Sequence, residues 1–190
     1  MAVTLNLQPA LKMTVEQFAE LAQINQELQL ELTATGALII MPPTGGETGN
    51  KNFEIYIDLG LWNRQTRLGK AFDSSTGFRL PNGAVRSPDV SWLKLERWKA
   101  LTPEQRKKFL PLCPDFAIEL VSETDEIQTT RSKMQEYLSN GLRLGWLIDP
   151  ETKTVDIYRQ NRPVEILQSP STLSGEEVLS NFILTLQPIW

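Results

Sequence analysis

The chain has 190 residues, 41% of them hydrophobic and 22% charged, with a formal net charge of −4. That length sustains one buried core and reads as a single domain over 1–190, while the acidic balance argues against tight, non-specific binding of nucleic acid through a broad basic face. The absence of histidine and the lone Cys113 exclude Ser-His-Asp and Cys-His catalysis, histidine-ligated zinc and a disulfide framework.

What chemistry remains must run on carboxylates, lysine, hydroxyls or a hard metal bound through oxygen. No apolar run approaches the roughly 20 residues that a membrane helix needs. The first residues, MAVTLNLQPALKM, lack a basic region followed by an apolar stretch, so a cytoplasmic protein is expected.

In chain order, Thr14-Val-Glu-Gln17 forms a capping box and predicts a short helix to about Ala22. Leu28–Leu32 alternates apolar and polar residues, and Ala37–Met41 is a compact apolar run. Thr33-Ala-Thr-Gly36 between them predicts a β-hairpin. A loop at Pro42–Gly46 leads to a longer helix from about Gly49 to Leu68, closed by Gly69 as its C′ glycine. Phe53, Ile57 and Leu61 recur at i, i+4, i+8 and predict the buried stripe, with Glu54 and Asp58 at its edge.

Ala71–Leu80 and Val85–Leu93 predict two strands joined by a turn at Pro81-Asn-Gly-Ala84. Thr102-Pro-Glu-Gln105 opens a further helix to about Phe109. Phe116, Ile118 and Leu120 share one face of the next strand, and Ala117, Glu119 and Val121 the other. A strand apolar on both faces is covered on both sides. Its charge, Glu119, therefore needs a partner or a task.

The helix ending at Asn140-Gly141 carries Ile127, Met134 and Leu138 toward the core, with Lys133 and Tyr137 an i, i+4 pair beside them. Strands at Gly145–Asp149 and Thr154–Tyr158 follow, and the crossover from the Glu119 strand is long enough for a parallel βαβ unit. The tail closes the fold.

Asp89 early on one strand, Glu119 within another and Lys133 on the following helix make a candidate constellation. Two carboxylates on adjacent strands can hold Mg²⁺ or Mn²⁺ through oxygen, leaving room for a phosphate and a water. A nearby lysine can orient or deprotonate that water, or stabilise charge growing on phosphorus.

Ser87-Pro-Asp89-Val, Asp115-Phe-Ala-Ile-Glu119-Leu-Val-Ser122, Lys133-Met-Gln-Glu-Tyr137 and Gly145-Trp-Leu-Ile-Asp149-Pro150 together resemble the small putative restriction endonucleases of the PD-(D/E)XK nuclease superfamily. The resemblance implies an α/β (α+β) fold, a four-to-five-stranded mixed sheet flanked by helices, preceded by the N-terminal hairpin. It implies that Asp89 and Glu119 bind Mg²⁺ or Mn²⁺ and that DNA is the substrate, and because related nucleases are often dimeric a homodimer is expected. The superfamily lysine stands two residues after the glutamate, where this chain has Val121, so Lys133 is its substitute. Glu54 resembles the additional acid that members carry on their first long helix; Glu47 and Asn52 are weaker neighbours.

Two other readings stand beside this one. A binding or scaffold protein on the same fold would hold Glu119 and Lys133 in direct contact with no open space for metal. A glycosidase would use Asp89 and Glu119 as acid and base in a cleft lined by aromatics, for which five tryptophans are available.

Overall fold

The computed structural model describes residues 2–190. The chain runs β1 (Val3–Leu5), α1 (Val15–Ile24), β2 (Gln29–Leu32), β3 (Leu38–Met41), α2 (Gly46–Thr66), β4 (Gly69–Phe72), β5 (Phe78–Arg79), β6 (Val85–Arg86) and β7 (Val90–Lys94). It continues through α3 (Leu95–Ala100), α4 (Pro103–Arg106), β8 (Phe116–Leu120), α5 (Ile127–Ser139), β9 (Leu144–Asp149), β10 (Thr154–Arg159), β11 (Glu165–Gln168), β12 (Thr172–Ser174) and β13 (Ile183–Thr185). It is an α+β fold whose larger sheet is mixed, with helices packed on it. None of the described helices is long and apolar enough to cross a membrane.

The larger sheet has six strands in the order β11-β10-β9-β8-β7-β4, and only the β8–β9 pair is parallel. That pair is the expected βαβ unit, with α5 as its crossover. Phe116, Ile118 and Leu120 face α2 and the C-terminal segment, packing with Ile55, Leu59, Trp146, Phe182 and Leu184. The Phe116 and Trp146 rings meet edge-on at 4.8 Å, a geometry worth about 1 kcal/mol beyond the area buried. Ala117 faces the α5 side with Met134, Tyr137 and Leu147. Both faces are covered, so all five β8 residues, Glu119 among them, are buried.

The N-terminal hairpin grows into a second, antiparallel sheet of five strands in the order β1-β3-β2-β6-β5. The two long strands expected around the Pro81–Ala84 turn are each divided between sheets. β4 pairs with β7 in the larger sheet, and β5 with β6 in the smaller. Local chemistry makes the breaks: Asp73 Oδ1 accepts from the Ser75 amide at 3.1 Å and from the Ser75 and Thr76 hydroxyls, curling the chain. On the returning arm Pro88 has no amide to give to a ladder.

Two expectations for α2 are corrected. Its buried face is Asn52, Ile55, Leu59 and Trp62, while Phe53, Ile57 and Leu61 are 58%, 38% and 51% exposed. The helix ends at Arg67, which takes the left-handed conformation (φ 54°) and donates its amide to Asn63 O. Gly69 already belongs to β4. Its lack of a side chain serves packing, because a Cβ there would come within 2.3 Å of the Leu93 carbonyl and the Trp92 ring.

Candidate active site

The two sheets meet along β2, β6 and β7, and the junction opens into a cleft of about 1420 Å³. Asp89, Glu119 and Lys133 all line it. The register that pairs Val90 with Ile118 continues one step to set Asp89 beside Glu119. Helix α5 crosses behind and delivers Lys133, whose Nζ lies 2.9 Å from Glu119 Oε1. Tyr137, one turn further along α5, donates its hydroxyl to the same oxygen at 3.0 Å.

The structure adds a carboxylate that sequence reasoning did not single out. Glu31 of β2 is 2% exposed and receives Lys133 Nζ at 2.9 Å, Arg86 Nη1 at 3.0 Å and the Ser87 amide at 2.9 Å. Arg86 also donates to Glu136 at 2.6 Å, and Asn82 Nδ2 closes that corner on Glu136 at 2.9 Å. Lys133 is thus held between two buried acids, one from each sheet. Nothing in the alternation Leu28–Leu32 marks Glu31 as different from an ordinary solvent-facing residue. Only the second sheet's position turns that face inward.

The other predicted members are placed differently. Glu54, on α2, is not among the residues lining the cleft, whereas Glu47 and Asn52 are. Asn52 is 8% exposed, and its Oδ1 has no hydrogen-bond partner among the described residues. No aromatic side chain lines the cleft, and Trp62, Trp92 and Trp146 are packed in the core beneath the sheet, so the platform a glycosidase needs is absent from this cleft. The basic side chains of Arg64, Arg67 and Lys70, and of Arg97, Lys99, Arg106, Lys107 and Lys108, do not line the cleft. Cys113 is buried, and burial pushes its thiol up to about 12, leaving it unreactive.

Electrostatics follow from a surplus of acid. Nine carboxylates line the cleft against three cations, Lys51, Arg86 and Lys133. Burial pushes Glu119 up to about 8, reinforced by Asp89 and Glu31 and only partly offset by Lys133. Burial likewise raises Asp89, against the pull of the Leu120 amide and Lys133. Glu31 moves the other way: burial alone would raise it, but Lys133, Arg86 and the Ser87 amide together bring it below its usual value. Lys133 is raised, because Glu119, Glu31 and Asp89 outweigh the burial that would strip its proton. It is a held cation.

A pH dependence follows from Glu119. Its folded carboxyl keeps, from about pH 4.5 to about 8, a proton that the unfolded chain releases. The stability it contributes is therefore complete below about 4.5 and lost as pH rises toward 8. Without added metal, the urea midpoint should fall between pH 5 and 8, and Glu119→Gln should flatten that slope. An identical slope in the variant would refute this assignment.

Each of the paired carboxylates keeps one oxygen engaged and one open. Asp89 Oδ2 accepts the Leu120 amide at 2.8 Å and Glu119 Oε1 is taken by Lys133 and Tyr137. Asp89 Oδ1 and Glu119 Oε2 make no hydrogen bond among the described residues. The Asp89 carbonyl is fixed by the Tyr56 hydroxyl at 2.5 Å, which in turn receives the Ser74 amide. Two hard oxygens on braced strands, facing an acidic cleft, fit a small divalent cation that keeps several waters. No group of three or more Asp, Glu, His or Cys side chains among the described residues is arranged to hold a metal. Any such ion would rest on this pair, with water and substrate oxygens completing its shell.

Over residues 15–187 the chain matches the Uma2 family, described as "Putative restriction endonuclease". It is also similar to a solved putative nuclease from Anabaena variabilis ATCC 29413, at 21% identity and a TM-score of 0.78, over 93% of this chain and 97% of that one. At that identity the likeness speaks for the fold. No curated protein matches the chain.

Proposed function

Since the chain belongs to this family of putative restriction endonucleases, we propose that it is a metal-dependent endonuclease that hydrolyses phosphodiester bonds in DNA. The observation that carries the reading is the pair of open oxygens, Asp89 Oδ1 and Glu119 Oε2, beside a lysine kept charged. Asp89 and Glu119 would hold Mg²⁺ or Mn²⁺, which when bound supplies Lewis-acid activation at a phosphate oxygen.

The chain's own residues do the rest. Lys133 retains its proton, so its role is to orient the attacking water and to stabilise negative charge as it grows on phosphorus. Removing a proton from that water is not its task. Glu31 and Glu119 aim its ammonium, and Tyr137 anchors Glu119 from the core side. Cutting both strands of a duplex takes two such sites, one from each of two copies.

The acidity of the cleft adds a condition. Nine carboxylates repel a polyanion, so DNA should enter this cleft only together with the divalent cation. Wild-type protein with Mn²⁺ or Mg²⁺ is expected to nick supercoiled plasmid, and Asp89→Asn to leave it intact. Failure of the wild type to cut duplex, single-stranded or branched DNA under these conditions would count against the proposal.

A second reading, a non-catalytic binding protein, draws on one specific observation: Glu119 and Lys133 are in direct contact at 2.9 Å. The open cleft on the far side of the same carboxylate supports the enzyme instead.

A further inference from the structure

The apolar stripe first assigned to the core of α2 lies on the outside of the molecule. Phe53, Ile57 and Leu61 are 58%, 38% and 51% exposed, and Leu68 just past the helix is 45% exposed. Large apolar residues scattered singly on a surface need no explanation, but a continuous stripe does. With Asn50 and Arg64 the helical positions 50, 53, 57, 61 and 64 advance by three or four residues. That spacing keeps one seam facing a partner along an entire helix. Beside the seam, Gly49 and Gly60 present open space where side chains would stand.

The charges along this face select the partner. The first part of α2 carries Glu47, Glu54 and Asp58 against Lys51, and its end carries Arg64 and Arg67. None of these six makes an ion pair within the described residues. Equal numbers of acids and bases suit neither a nucleic acid nor an anionic membrane. A net acidic first part and a basic end are complementary to the same helix reversed, the property an isologous two-fold contact demands.

We infer that the outer face of α2 is a homodimer interface, in which two copies pair their α2 helices antiparallel about an axis near Ile57. Phe53 of each copy then packs near Leu61 of the other, and Ile57 meets Ile57. Glu54 lies about 6 Å along the axis from the other copy's Arg64, within reach of two long side chains. The cleft-lining N-termini of the two helices fall at opposite ends of the pair, about 33 Å apart. Each cleft is complete within its own chain. A single helix face covers less than the roughly 800 Å² per partner of a standard interface, so the association is reversible and concentration-dependent.

Sedimentation equilibrium from micromolar to sub-millimolar protein should show a shift from the 21.5 kDa chain toward twice that mass. Ile57→Asp should remain monomeric throughout while keeping the plasmid-nicking activity of the wild type. Arg64→Glu should weaken the dimer at least tenfold by facing Glu54 of the other copy, and adding Glu54→Arg in the same chain should restore it. Ile57→Cys should cross-link through the axis under mild oxidation, since Cys113 is buried. A wild type that stays monomeric at every concentration, or a dimer indifferent to Ile57→Asp, would overturn the assignment.

Discussion

Lys133→Met is expected to lower stability at pH 7 by about 3–5 kcal/mol, the range for removing one partner of a buried ion pair. Lys133 Nζ sits 2.9 Å from both Glu31 and Glu119, each nearly excluded from solvent. Deleting it leaves two buried acids facing each other with Arg86 as the remaining nearby cation. Methionine preserves most of the volume, so the loss reports charge and not a cavity. In folded variant protein DNA nicking should fall by about 10²–10³-fold, the scale seen when one preorganised charge-stabilising group is removed. Mn²⁺ binding should survive, because the open oxygens belong to Asp89 and Glu119. Chemical denaturation and a single-turnover nicking assay separate these effects. A variant as stable and as active as the wild type would mean that Lys133 is a bystander.

Glu31→Gln tests how Lys133 is positioned. Both Glu31 oxygens are engaged by the chain itself, so its first task is to hold Lys133 and Arg86. The amide can still accept from the Ser87 N–H but no longer opposes Lys133 and Arg86, which should cost about 2–3 kcal/mol of stability. Nicking should fall tenfold or more with Mn²⁺ affinity unchanged. The pH profile supplies the readout that a merely structural role would not move. Glu31 helps to raise Lys133, so in the variant Lys133 loses its proton at lower pH and the alkaline limb of activity should shift down. An unshifted limb would make Glu31 a structural acid alone.

The contrast between these two residues shows what the sequence made legible. Glu119 stands out because its neighbours on both faces of β8 are apolar, and Lys133 because it sits on a helix that packs back on that sheet. A charge against an apolar background is visible in one dimension. Glu31 lies on the polar positions of an alternating strand, and its burial comes from Lys133 of α5 and the Arg86–Ser87 segment closing over it. Arg86 gave no local signal either, since its partners Glu31 and Glu136 are 55 and 50 residues away.

The two-sided burial of β8, the parallel βαβ unit, the hairpin at Thr33–Gly36 and both capping boxes were legible for the same reason: each is fixed by residues within one or two turns of chain. The register of α2 was not. Phe53, Ile57 and Leu61 form as good an apolar stripe as Ile55, Leu59 and Trp62, and only the sheet decides which faces inward. The resemblance placed Glu54 ahead of Asn52, yet it is Asn52 that lines the cleft. A helix with two apolar stripes has two faces to cover, and the core takes one of them.

The charge balance at the junction of the sheets ties these points together. Two cations, Lys133 and Arg86, stand among Glu31, Asp89, Glu119 and Glu136, and burial, reinforced by Asp89 and Glu31, pushes Glu119 up to about 8. A divalent cation on Asp89 and Glu119 would relieve it, and its binding would release the proton Glu119 holds at neutral pH. Calorimetric titration of the purified chain with Mn²⁺, repeated in two buffers of different ionisation enthalpy, reads stoichiometry and proton release together. A cation site on this carboxylate pair requires one ion per chain, proton release near pH 7, and loss of binding in Asp89→Asn but not in Lys133→Met. No binding by the wild type, or binding that Asp89→Asn leaves intact, would contradict it.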